Sequence, residues 1–156
     1  MREYEIKLMQ QAMELAKIAG AAGDVPVGAL ICDKTGKIIG RGFNTREAFG
    51  DPVGHAEVNA MREAAAALGT WNLTGCTLAV TLEPCTMCAG AIINSRISRV
   101  IFGTWDEKAG AAGSVRDVLR DARLPHQAEV IGGFWKKKRL RSCVNGLSKI
   151  SADRTE

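Results

Sequence analysis

Cys76-Thr-Leu-Ala-Val-Thr-Leu82, followed at once by Glu83-Pro-Cys-Thr-Met-Cys88, is the stretch from which the architecture is read. The first seven residues are an apolar, β-branched run and predict a strand. Pro84 suits the first position of a new helix, where its missing N–H costs nothing. That helix is predicted to run to about Asn94. A strand feeding directly into a helix, if repeated along the chain, makes a layered α/β domain with helices packed on a central sheet.

The flanking sequence repeats it. Leu8, Ala12, Leu15, Ala16 and Ala19 fall on one helical stripe ended by Gly20, so Glu3 to Ala19 reads as an amphipathic helix. Val27-Gly-Ala-Leu-Ile-Cys32 is apolar enough for a buried strand, and Thr35-Gly36 turns the chain into a hairpin partner at Lys37 to Arg41. A loop bearing Gly, Asn and Pro occupies Asn44 to Gly54. His55 to Leu68 is then Ala-rich and helix-compatible, closed by Gly69. Arg99 to Gly103 and Ala128 to Ile131 read as strands, with helices expected around Ser114 to Asp121 and after Trp135.

A chain of 156 residues fits one domain, expected over residues 1–150, with the polar stretch Ser151 to Glu156 as a disordered tail. The first residues carry no secretory apolar region, and no apolar run approaches the roughly 20 residues that cross a bilayer, so a soluble cytoplasmic protein is expected. Five cysteines (Cys32, Cys76, Cys85, Cys88 and Cys143) form an odd set without framework spacing, which favours reduced thiols and metal or redox roles over disulfides. The formal charge of +4 is mild. Its distribution is uneven: Lys136, Lys137, Lys138, Arg139, Arg141 and Lys149 crowd a stretch with no acid between Glu129 and Asp153. Such a run is either a solvated basic face or a phosphate-contacting patch.

Two fragments carry the chemistry, His55-Ala-Glu57 and Pro84-Cys-Thr-Met-Cys88, each at the start of a predicted helix. Alone, the first is an ordinary pair and the second a redox pair or half of a structural zinc site. Together they say more. Cys85 and Cys88 lie three apart, so one helical turn puts both sulfurs on one side. The unsatisfied N–H groups and positive dipole end of that turn favour thiolates. Two thiolates and an imidazole give zinc three protein ligands and leave the fourth position to water, the pattern of a catalytic site. A fourth ligand from His126, the one other histidine, would make the site structural, but His126 lies far along the chain beside Pro125 at a predicted turn and is not expected to join. Glu57 is the candidate proton carrier beside an activated water. Residues two apart do not share a helical face. His55 is therefore expected at the helix entry, off the regular spiral.

His-x-Glu followed by Pro-Cys-x-x-Cys is a signature of zinc deaminases. With Thr81-Leu-Glu-Pro-Cys-Thr-Met-Cys-Ala-Gly90, it closely resembles the bacterial tRNA-specific adenosine deaminases of the cytidine deaminase-like superfamily. Further matching stretches are Asp24-Val-Pro-Val-Gly-Ala29, Asn44, Asp51-Pro52, Ser95 to Gly103, Asp106 and Gly110 to Leu119. The resemblance covers about Glu3 to Ile131. It implies a three-layer α/β/α fold with a central mixed sheet of about five strands, a homodimer, and conversion of the wobble adenosine of a tRNA anticodon to inosine. It also implies one zinc ion per chain on His55, Cys85 and Cys88, proton transfer by Glu57, base contacts from Asn44 and Val27, and a flanking-nucleotide contact from Asp106.

For several of these residues a plainer reading stands beside the functional one. Asn44 is otherwise a turn residue near Gly42, and Asp106 a solvated loop acid. Leu82, Met87 and Ile92 read as core, and Glu83 as a helix N-cap. The tail departs from the family. There the last helix carries acidic and alanine residues before an aromatic pair and basic residues that contact tRNA. Here Gly133-Phe-Trp-Lys-Lys-Lys-Arg-Leu-Arg141 puts the aromatics first, and Gly146 follows. Aromatic and basic side chains together still suit single-stranded RNA, so Lys136 to Arg139 and Arg141 are either RNA contacts or a diverged end. Two rival functions remain: a free nucleobase or nucleoside deaminase (guanine, cytosine or adenosine), and a non-catalytic zinc-stabilised RNA-binding module.

Overall fold

The computed structural model describes residues 2–135. The helix expected after Trp135, the basic cluster Lys136, Lys137, Lys138, Arg139 and Arg141, and the tail at 151–156 lie outside the described residues. In chain order the elements are α1 (Glu3–Ala21), β1 (Gly28–Cys32), β2 (Ile38–Phe43), α2 (Arg46–Phe49), α3 (Ala56–Leu68), β3 (Thr77–Leu82), α4 (Thr86–Asn94), β4 (Arg99–Thr104) and β5 (Glu129–Ile131). They build one five-stranded mixed sheet in the order β2-β1-β3-β4-β5. β1 runs antiparallel to both β2 and β3, while β3, β4 and β5 are parallel.

Side-chain alternation explains why the central strands are apolar throughout. Ala29, Ile31, Leu78, Val80, Val100 and Phe102 enter the core shared with α3 and α4. The intervening Leu30, Cys32, Ala79 and Ile101 enter a second core under Leu8, Met9 and Ala12 of α1. A sheet covered on both faces needs apolar residues at every position, and β1 is buried along its whole length. This is the three-layer α/β/α arrangement.

Two glycines set how closely helices approach the sheet. A methyl group at Gly28 would collide with the Ala12 carbonyl of α1, and one at Gly42 with the Ala56 carbonyl of α3. The register then aligns the strand ends. Gly28 pairs with Phe43, Ala29 with Val80, and Leu82 with Thr104. Val27, Asn44, Glu83 and Asp106 therefore emerge at one edge of the sheet, the carboxyl end of its parallel strands, where open α/β sheets bind ligands.

Two expected elements differ. Asn44 to Gly54 is not all loop: α2 forms there because the Asp24 carboxylate accepts hydrogen bonds from Glu47 N and Ala48 N, at 2.9 and 3.3 Å. The helix expected at Ser114 to Asp121 does not form. Gly113 takes φ 133°, Ala112 pairs with Asp117 in an isolated bridge, and the N–H groups of Arg116 and Val118 turn back to the carbonyls of Gly110 and Ala111. Leu119 is fully buried by this folded-back loop.

Candidate active site

α3 begins with His55 as N-cap, in extended backbone (φ −84°, ψ 151°) and without a side-chain cap bond. The capping acceptor comes instead from Asn44, whose Oδ1 receives the Ala56 N–H at 2.8 Å. Released from capping, the His55 ring turns out of the helical spiral toward the start of α4. Cys85 is the N-cap of α4, also extended, and Cys88 lies in its first turn. Pro84 is thus not the first helical residue, as expected, but precedes the cap. Its carbonyl accepts the Ala111 N–H at 2.8 Å, which draws this residue away from the helix toward the loop after β4.

His55 Nδ1 lies 3.6 Å from Cys85 Sγ and 3.4 Å from Cys88 Sγ, and the three ligand atoms all fall within 4.8 Å of one another. Zinc–sulfur and zinc–nitrogen bonds of ordinary length at a tetrahedral angle put nitrogen and sulfur about 3.6 Å apart, so the donor set fits one zinc ion. His126 does not join it: its Nε2 is 2.7 Å from the Ile97 carbonyl oxygen, which occupies it elsewhere.

The cysteines are electrostatically unequal. The Cys88 side chain hydrogen-bonds the Cys85 sulfur and, against burial, helps hold the Cys85 thiol down to about 5. The same bond, with burial, pushes Cys88 up. Glu57 is only 4% exposed, and its burial raises the carboxyl to about 7. The cavity in front of these groups is about 150 Å³, lined by Val25, Val27, Asn44, Arg46, His55, Glu57, Leu82, Glu83, Cys85, Asp106 and Ala109. That is below the roughly 300 Å³ at which drug-sized ligand sites begin, and suits one flat base-sized group.

The structure therefore brings Val27, Asn44, His55, Glu57, Cys85 and Asp106 to one cavity, with Cys88 buried behind it. Other expectations change. Glu83 is not an N-cap, since Cys85 holds that position. Met87 is not core: it is 37% exposed, because the cysteines on either side turn inward and leave it on the opposite face, whereas Ile92 is fully buried. Leu82 is half-buried, packed on the core yet lining the cavity. Asp106 is partly engaged in its own turn, its Oδ1 accepting from Lys108 N and Ala109 N. Arg46, Val25 and Ala109 were not legible as site residues. Arg46 reaches the cavity through α2, and α2 depends on Asp24, 22 residues earlier in the chain.

Comparison with known proteins agrees with this geometry. A model of the cytidine and deoxycytidylate deaminase zinc-binding region matches residues 2–104. The tRNA-specific adenosine deaminase of Bacillus subtilis (strain 168) is 47% identical over 130 residues, which cover 83% of this chain and 80% of that protein. Its counterpart in Haemophilus influenzae is 47% identical over 154 residues, covering 99% and 87%. A solved structure from studies of A-to-I editing by tRNA:A34 deaminases at the wobble position of transfer RNA superimposes with a TM-score of 0.78 at 38% identity. It covers 82% of this chain and 98% of its own.

Proposed function

The chain belongs to the zinc-binding cytidine and deoxycytidylate deaminase family, and from that membership together with its likeness to tRNA-specific adenosine deaminases we propose that it converts adenosine to inosine at the wobble position of a tRNA anticodon. The observation that carries this reading is the three-donor cluster of His55, Cys85 and Cys88 beside the buried Glu57, at the floor of a cavity sized for one base. Three donors and an open side fit catalysis; a structural zinc site would be closed by a fourth.

In this reading His55, Cys85 and Cys88 hold the ion. Zinc bound there supplies a Lewis acid that brings the ionisation of water toward neutral pH. Glu57 accepts the proton of the attacking water, returns it to a ring nitrogen, and then assists protonation of the departing amine, so that water is consumed and ammonia released. Asn44 Oδ1 is engaged with Ala56 N, which leaves its Nδ2 as a donor for an acceptor on the base. Val27 packs against the base, and Asp106 stands at the rim where a neighbouring nucleotide passes. A homodimer in the cytoplasm belongs to the same reading, with the basic residues from Lys136 to Arg141 as the segment offered to RNA. Among the described residues, no helix is long and apolar enough to cross a membrane.

The test is inosine formation in an anticodon stem-loop bearing a wobble adenosine, with free guanine, cytosine and adenosine in parallel. The expected result is inosine from the RNA, suppressed by added salt as phosphate contacts weaken. Ammonia from a free base with the RNA untouched would keep the zinc chemistry and overturn the substrate. A Glu57→Ala protein that retained its full biological role would point to a non-catalytic RNA-binding module.

A further inference from the structure

Glu83 is 2% exposed, among the most deeply enclosed side chains of the molecule, and ionisable. A buried carboxylate persists only where hydrogen bonds replace its water. Here Oε1 accepts from Ala112 N and Ser114 N, both at 3.0 Å, and Oε2 from Asp106 N at 2.9 Å. All three donors are main-chain amides of one loop. The loop is tied to the same point by Glu83 N to the Thr104 carbonyl, by Ala111 N to the Pro84 carbonyl, and by a bridge between Cys85 and Gly110. The Ser114 hydroxyl closes it by donating to the Asp106 carbonyl at 2.8 Å. Gly110 sits against the carboxylate so tightly that a methyl group there would collide with Glu83 and with Ser114.

The segment from 105 to 114 has no regular secondary structure, so its course is set by these contacts. It gives the cavity Asp106 and Ala109, which share the lining with Asn44, Arg46 and Glu83 itself. We propose that Glu83 is a positioning residue of the deaminase site. Its carboxylate folds the 105–114 loop into the rim that Asp106 and Ala109 present to the substrate, and thereby fixes how the nucleotide enters. The inference rests on the reading of this cavity as the substrate site. The residue adjoins the zinc-ligand motif, but it acts through the loop and not on the reacting atoms.

Glu83→Gln replaces one acceptor oxygen by an amide NH2 group that meets a backbone N–H, donor against donor, and releases part of the loop. With the zinc-loaded protein, we expect about one zinc per chain to be retained. KM for the stem-loop RNA should rise about ten-fold or more, while kcat falls less than three-fold. Trypsin, which has an exposed site at Lys108 in this loop, should cut there about ten-fold faster. Gly110→Ala displaces the carboxylate from the loop side, and should give the same KM and cleavage pattern if Glu83→Gln does not fold. Unchanged KM and unchanged cleavage after Lys108 in a folded variant would overturn the inference. So would loss of zinc, which would make Glu83 a support of the metal site, or a fall in kcat with a displaced pH profile at constant KM, which would place it at the chemistry. Wild-type protein that leaves the RNA untouched defeats the substrate reading alone, because metal content and trypsin cleavage still report on the loop.

Discussion

Glu57 is the second residue of α3 and His55 its cap, and the extended backbone at the cap lets two side chains that would diverge on a regular helix address one cavity. The roles of the two can be separated by substitution. Glu57→Gln keeps size and burial but removes the group that accepts a proton. Zinc should stay at about one ion per chain, because His55, Cys85 and Cys88 are untouched, while the rate of inosine formation should fall by roughly 10²- to 10⁴-fold, the usual contribution of a positioned acid–base group. Metal analysis and a single-turnover assay on the same preparation check both halves. A variant within ten-fold of wild type would remove Glu57 from the proton path. Asn44 shows a limit of reading one residue at a time. A structural and a site position meet in it: its Oδ1 caps α3 while its side chain lines the cavity.

Elements hold these residues at their distances, and α3, which His55 caps, packs closely on β2. Gly42 leaves no room for a methyl group against the Ala56 carbonyl, at the first turn of α3 beside His55. Gly42→Ala should push that end of the helix outward and carry His55 away from Cys85 and Cys88, which sit on α4. We expect weaker zinc retention in a chelator competition and a stability loss of about 1–3 kcal/mol, the range for overpacking a close contact. A variant with wild-type zinc affinity would show that α3 and β2 do not set the ligand geometry. The strands, α1, α3 and α4 were legible in the sequence because apolar patterning is a local signal; Gly69 closes α3 as expected, whereas Gly20 does not close α1, which runs on to Ala21. The start of α4 was misplaced at Pro84 because a bond from Ala111, 27 residues later in the chain, decides the backbone there. The helix expected at Ser114 to Asp121 is absent because the Val118 N–H, which a helix would send to the Ser114 carbonyl, goes to the Ala111 carbonyl. Motif spacing could bring His55, Glu57, Cys85 and Cys88 together, but not the loop that faces them.

Among the described residues, the two helical layers are joined to the sheet by burial on both faces and, on the α1 side, by an enclosed ion pair. Glu5 of α1 bonds the guanidinium of Arg99 at the start of β4, and Arg99 also lies 3.2 Å from the exposed Glu129 carboxylate of β5. Burial alone would raise the Glu5 carboxyl. The hydrogen bonds from Arg99 and from the Arg2 main chain outweigh it and hold the group below the ordinary glutamate range. A folded-state value below the unfolded one means that the unfolded chain binds the proton first as pH falls. The stabilisation is therefore complete above about pH 4.3, the unperturbed glutamate value, and is lost as pH drops through the lower, folded-state value. Glu5→Gln should cost about 2 kcal/mol at neutral pH, as expected for a charge-assisted bond in an enclosed site, and lower Tm by roughly 4–8 °C. The gap between wild type and variant should then close on acidification below pH 4. Zinc release at low pH acts on both proteins and leaves the difference intact. Glu3→Gln, whose partner Lys7 and carboxylate are both solvent-exposed, serves as the comparison and should shift stability by less than about 0.5 kcal/mol. Melts of the three proteins between pH 7 and pH 3 decide the matter, and a gap for Glu5→Gln that stayed constant to pH 3 would mean that α1 is held by packing and not by this charge.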